Sequence, residues 1–217
     1  TNALGQAVRF EYDGAGRPVR TIYADGSRAE TAYDAAGRPA TFTDEATNAW
    51  RVAYDARGAV VAVTNPAGGV ATYAYNLDGT LQSTSDSDVG PVSNRYDAAR
   101  RLVETVWPGG ARVQYAYDEF GALAAVVDAL GRTNRYEYDA DGRLKFETDP
   151  ANQVTFHGYD AAGRRVLRMD RTGRTTTYEY DLVGRLTVAT DATGVRTAYA
   201  RDKQGFVTNL ALGTAFW

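Results

Sequence analysis

Few side chains in this sequence could do chemistry, and they are unevenly placed. His157 is the only histidine and there is no cysteine. A histidine can act as general base or metal ligand, but either role needs a second group held beside it. No Ser-His, Cys-His or metal-ligand constellation accompanies His157, so catalytic and metal-binding roles are set aside and no cofactor is expected. Aspartates recur in an Asp-x-x-Gly spacing, which calcium-binding repeats also use. Calcium takes six to eight oxygens, however, and each such turn offers one carboxylate. The richest stretch, "SDSDVG" with Asp86 and Asp88, is still a poor cage. Trp107 in "VWPGG" and, less strongly, Trp50 are the side chains best suited to stack on a sugar ring, and they are the candidate carbohydrate-binding residues.

The elements that would position these groups repeat with a fixed period. Taking Tyr-Asp as the anchor, copies begin at Tyr12, Tyr33, Tyr54, Tyr75, Tyr96, Tyr117, Tyr138, Tyr159, Tyr180 and Arg201, each 21 residues after the last without an insertion. The next residue is Asp in nine of ten copies, Asn76 being the exception, and the residue four after the anchor is Gly in nine of ten, Arg100 being the exception. Half a period later come Asp44, Asp86, Asp128, Asp149, Asp170 and Asp191, with Gly26, Gly68, Gly110, Gly131, Gly173 and Gly194 in the matching glycine slot. An active site is one asymmetric cluster, whereas a repeated phrase specifies a structural unit laid beside its copies. His157 falls in the slot two before the anchor that holds Phe10, Tyr73, Tyr115, Tyr136, Tyr178 and Tyr199, and that slot accounts for it.

Asp at the first position of a type I turn caps the backbone two residues on. Gly at the fourth supplies the positive φ that closes a β-hairpin with a bulge. Pro66, Pro108 and Pro150 stand second in the other turn, where type I turns favour proline. Segments such as "RTTTYEY" and "RLTVAT" have strand length and composition. The reading is an all-β chain of tandem 21-residue β-hairpins, an antiparallel meander wound into a curved strip or partial shell. A parallel β-solenoid is the alternative. The anchors and the aromatics two before them form a two-wide ladder on one face, stacking from hairpin to hairpin. Leu81, Leu102, Leu123, Leu144 and Leu186 form a row on the returning strands, and Arg17, Arg38, Arg101, Arg143, Arg164 and Arg185 pair with the turn aspartates.

With 44% apolar residues the chain is in the folding range. Its net charge of −3 and lack of basic runs argue against nucleic acid as a partner. The stretch "FGALAAVVDALG" is too short to span a bilayer, and no N-terminal segment reads as a signal peptide.

The phrase Tyr138-Asp139-Ala140-Asp141-Gly142-Arg143-Leu144, and its copy from Tyr180 to Leu186, resembles the YD-repeat or Rhs-type family of bacterial polymorphic toxins, insecticidal toxin complex B and C components, and teneurins. The resemblance covers nearly the whole chain. It implies β-hairpins spiralling around a hollow shell that, in the toxins, holds an effector polypeptide, in a secreted or cell-surface bacterial protein. The family's self-cleaving Asp-Pro-x-Gly motif is absent, since Asp149-Pro150 is followed by Ala151-Asn152. Residues 1–217 are therefore read as one array of about ten repeats from a longer protein. It would be non-enzymatic, with an enclosed effector or an extracellular glycan or protein as its partner and self-association left open. The alternative function is an adhesive, carbohydrate-binding surface.

Overall fold

The computed structural model describes residues 7–202 and 204–214; the ends of the expected array, 1–6 and 215–217, lie outside the described residues. Twenty strands run from β1 (Arg9–Tyr12) to β20 (Val207–Thr214), with one 3₁₀ turn at Pro108–Gly110 among the described residues. The chain divides into two compact units, Thr1–Arg112 and Val113–Trp217. In the first, β1 to β10 (Leu102–Val106) form a meander in which each strand pairs antiparallel with the next. In the second, β11 (Arg112–Tyr117) to β20 do the same. Every described pairing is antiparallel, which rules out the parallel solenoid.

The turns show why these residues reverse the chain. At the Tyr138 repeat, the Asp139 N–H donates to the Arg143 carbonyl at 2.9 Å and the Gly142 N–H to the Asp139 carbonyl at 2.9 Å. Gly142 has φ +76°, so this is a type I turn closed by a bulge. The same two bonds recur at every first turn from Asp13 to Asp202 and at most second turns. The "SDSDVG" hairpin differs: Asp86 pairs with Gly90, one residue beyond the usual closing slot, which Val89 occupies. Asp86 Oδ1 accepts the Asp88 N–H at 2.8 Å, a turn cap rather than a cation cage.

Three closing slots lack glycine yet keep its conformation: Thr47 (φ 67°), Arg100 (φ 63°) and Asn152 (φ 59°). Asn tolerates this region, whereas Thr and Arg do so at a cost of about 1–2 kcal/mol. The Arg100–Asp78 contact, 3.6 Å and exposed, offsets little of that. Arg100→Gly and Thr47→Gly should each raise the urea midpoint, by about 1 kcal/mol of stability. A Cβ on Gly142 would meet nothing within 4 Å, so Gly142→Ala isolates the conformational cost and should lower the midpoint. Unchanged midpoints in all three variants would refute the assigned turn geometry.

Cross-strand register sorts the side chains onto two faces, seen best in β13 (Thr133–Tyr138), β14 (Leu144–Thr148), β15 (Val154–Tyr159), β16 (Arg165–Met169) and β17 (Thr175–Tyr180). Tyr136 lies opposite Glu147, Glu147 opposite Thr155, His157 opposite Arg168 and Arg168 opposite Thr176; this face carries the anchor tyrosines. Glu137, Phe146, Phe156 and Met169 line the other. That second face also carries ion rows such as Glu11–Arg20–Glu30, at 2.8 and 2.9 Å. Among the described residues Ala29 is the only buried apolar residue, and no large side chain is fully buried. With so little core, order must come from contacts between neighbouring hairpins.

Candidate functional site: the clasped aromatic face

Each repeat grips the next through one motif, which the Tyr138 and Tyr159 repeats illustrate. Asp139 Oδ1 accepts the N–H groups of Asp141 and Arg143, both at 3.0 Å. Its Oδ2 takes Arg143 Nε and Nη2, both at 2.7 Å. These bonds, the Arg143 side chain first, hold the Asp139 carboxyl below the usual carboxylate range. The guanidinium so fixed lies over the Tyr159 ring, 5.0 Å from its centroid. The Tyr159 hydroxyl then donates to the Leu144 carbonyl at 2.8 Å. Arginine and carbonyl both belong to the preceding repeat, so one tyrosine closes a clasp across the hairpin boundary.

The clasp recurs. Arg17 covers Tyr33 and Arg38 covers Tyr54, both at 4.4 Å, and Arg164 covers Tyr180 at 5.0 Å. Tyr33, Tyr54 and Tyr180 donate to the carbonyls of Pro18, Pro39 and Arg165 at 2.8, 2.7 and 2.8 Å. Arg164 also reaches the Asp181 carbonyl at 3.1 Å. Where the anchor is Arg201, its Nη2 donates to the Leu186 carbonyl at 3.3 Å, standing in for the phenol.

This corrects the expected ladder of stacked tyrosines. Successive anchors sit two strands apart, about 9.6 Å, beyond the 4.5–7 Å of ring contact, and in the clasped repeats an arginine packs on the anchor ring instead. The ring pairs described are Phe42–Trp50 at 5.8 Å and Phe146–Phe156 at 5.3 Å. The expected Asp-Arg pairs are present, but half-buried by the clasp rather than freely exposed.

Trp107 opens a second turn, its N–H donating to the Ala111 carbonyl at 2.8 Å, and is 37% exposed. Trp50, in β5 (Ala49–Tyr54), is half-buried against Phe42. Five strand spacings, about 24 Å, lie between β5 and β10, so the two tryptophans are not brought together. His157 is 8% exposed, with both imidazole nitrogens buried and unpartnered. Burial first, then repulsion from Arg165 and Arg168, pushes its pKa down from 6.5. Reading the sequence missed the clasp, although its signal was there: each clasping arginine precedes its tyrosine by 16 residues, as in Arg17 and Tyr33 or Arg143 and Tyr159.

Tandem antiparallel hairpins, Asp-x-x-Gly turns and tyrosine clasps define a YD-repeat array. The chain belongs to the teneurin YD-shell family, whose model matches residues 3–134, and RHS repeats match 117–154, 138–169 and 159–195. No curated protein matches it. The crystal structure of TcdB2-TccC3 superposes on 95% of this chain with a TM-score of 0.79 at 17% identity. That of TcdB2-TccC3-TEV does so over 95% with a TM-score of 0.77 at 18% identity. The Photorhabdus luminescens Tc holotoxin pore, carrying a mutation in TccC3, matches over 95% with a TM-score of 0.76 at 18% identity. The likeness is of fold, and this chain spans only 12–13% of the length of those chains.

Proposed function

We propose that this chain is one continuous stretch of the wall of a hollow YD-repeat shell, and that the shell encloses an effector polypeptide. The observation that carries the proposal is the superposition on TcdB2-TccC3 over 95% of the chain, together with the family match. The role is structural rather than catalytic: Tyr, Asp, Gly and Arg, the residues repeated most faithfully, are all engaged in turns and clasps. The shell acts in a secreted or cell-surface bacterial protein, as the toxin-complex likeness suggests. Among the described residues no helix is long and apolar enough to cross a membrane.

Protease protection of the complete gene product tests this reading. A segment outside the repeats should resist digestion until denaturant opens the array, while the same segment expressed alone is cleaved at once. Equal cleavage in both contexts would remove the enclosing role. A glycan array run on the same protein addresses the adhesive surface: saturable binding lost in Trp107→Ala, with the fold retained, would replace the shell wall by an adhesin.

A further inference from the structure

The repeat pattern lapses at the last strand. The slot eleven residues after the anchor opens a second turn in earlier repeats, as at Asp128, Asp149, Asp170 and Asp191. Eleven after Arg201 stands Leu212, and the chain does not reverse there. Instead β20 (Val207–Thr214) runs through the slot as an eight-residue strand, the longest among the described residues. It pairs antiparallel with β19 (Val195–Arg201), which is already paired on its other side with β18 (Leu186–Thr190). Among the described residues nothing pairs with the outer edge of β20, which lies within the second unit.

An outer edge presents the N–H and C=O groups of alternate residues to any strand that comes alongside. Sheets ordinarily guard such edges with a charge or a proline. The opening strand β1 carries Arg9 and Glu11, whereas VTNLALGT carries neither a charge nor a proline. Its apolar side chains are open too: Leu210 is 58% and Leu212 76% exposed, and Val207 and the adjoining Phe206 are exposed as well. Leu210 lies opposite Tyr199 and Leu212 opposite Thr197, so the two leucines share the aromatic face of the sheet.

The chemistry of this edge narrows what fits it. A partner strand has to cover eight residues, pair antiparallel as every described strand does, and set apolar side chains rather than charges beside Leu210 and Leu212. The β1 strand of a second copy offers four residues, two of them charged. The β20 strand of a second copy meets all three conditions, because an antiparallel pair is symmetric about a two-fold axis and sets each strand against one of its own length. We propose that a second copy of this chain docks on β20 through its own β20, joining two sheets into one across a two-fold axis. The leucine pairs of the two copies then lie side by side on the aromatic face. The inference goes beyond the shell reading and does not depend on it.

A single strand pair is at the small end of interface sizes, so the dimer is weak, with a Kd on the order of 10–100 µM. Sedimentation velocity of the intact chain, from well below to well above that concentration, should show monomer giving way to dimer and to nothing larger. Amide hydrogen exchange across Val207–Thr214 should slow over the same range while that of β1 stays constant. Leu210→Lys and Leu212→Lys replace exposed side chains, so the monomer keeps its fold, yet each sets two ammonium groups together across the axis and should weaken the dimer at least about tenfold. An equimolar mixture of Leu210→Lys and Leu210→Glu should restore it. A monomer at every concentration overturns the proposal, and so does a ladder of larger species, which would set β1 rather than β20 against this edge. A dimer indifferent to both lysines places the contact elsewhere and refutes it equally. In the complete gene product, a monomer whose β20 amides are fully protected would show that another segment of the same chain covers the edge, and the pairing of two copies would be refuted.

Discussion

Asp139→Ala should lower the melting temperature by about 4–8 °C and separate the unfolding of the two halves of the chain. The substitution removes the acceptor for two backbone N–H groups and both bonds that hold Arg143 flat over Tyr159. Losing bonds on this scale moves Tm by several degrees in a chain of this size. Asp139→Asn keeps the oxygen that caps the turn but loses the charge that fixes Arg143, so its loss should be smaller. The chain offers a precedent in Asn65, whose Oδ1 accepts the Gly69 N–H at 2.8 Å in a second turn. The pH dependence has a definite sign. The Asp139 pKa is depressed in the folded chain, so its contribution is present above the ordinary value of 3.8 and is lost as pH falls through the folded value. The gap between wild type and Asp139→Ala should therefore narrow below about pH 3.8. In a Trp217→Phe background the remaining tryptophans, Trp50 and Trp107, both lie in the first unit, whereas Asp139 lies in the second. Circular dichroism should then lose amplitude before tryptophan fluorescence does. Coincident transitions with an unchanged Tm would show that hairpins do not depend on their clasps.

The architecture was legible because it rests on local rules. Asp-x-x-Gly at a period of 21 specifies where the chain reverses, and side-chain alternation specifies which residues share a face. Arg100 illustrates the strength of those rules: it keeps a positive φ of 63° in a slot that nine other repeats give to glycine. The contacts on the aromatic face were less legible because they join residues of different repeats. A ladder of tyrosines follows from alternation within a strand, but whether rings touch depends on the spacing between anchors, and two strand widths leave room for a guanidinium. The surroundings of His157 were hidden for another reason. Glu147 and Arg168 each look like an ordinary exposed charge in a strand, and only the register that sets His157 opposite Arg168 brings the arginine against the histidine.

His157→Tyr should stabilise the chain at neutral pH and remove a loss of stability on mild acidification that the wild type shows. Five repeats carry tyrosine in this slot, so the pocket geometry accommodates the ring. The wild-type imidazole buries two nitrogens without partners, and relieving an unsatisfied buried group is worth about 1–3 kcal/mol. The groups around it explain its titration. Arg168 faces it from β16 and Arg165 stands on the same strand; Glu147 on β14 favours the proton, and Tyr136 on β13 and Thr176 and Tyr178 on β17 complete the row on this face. Burial and the two arginines prevail, and the folded pKa falls below 6.5. Stability from the neutral imidazole is therefore complete above pH 6.5 and is lost as pH falls towards the folded value. The aspartates that open the turns, Asp139, Asp149, Asp160, Asp170, Asp181 and Asp191, are each held below 3.8, beneath this window. Urea midpoints measured from pH 7.5 down to pH 5 should decline for wild type and stay level for His157→Tyr. A level wild-type curve would mean that His157 takes up its proton as readily in the folded chain as in the unfolded one, and the description of a sealed, neutral imidazole would have to be abandoned.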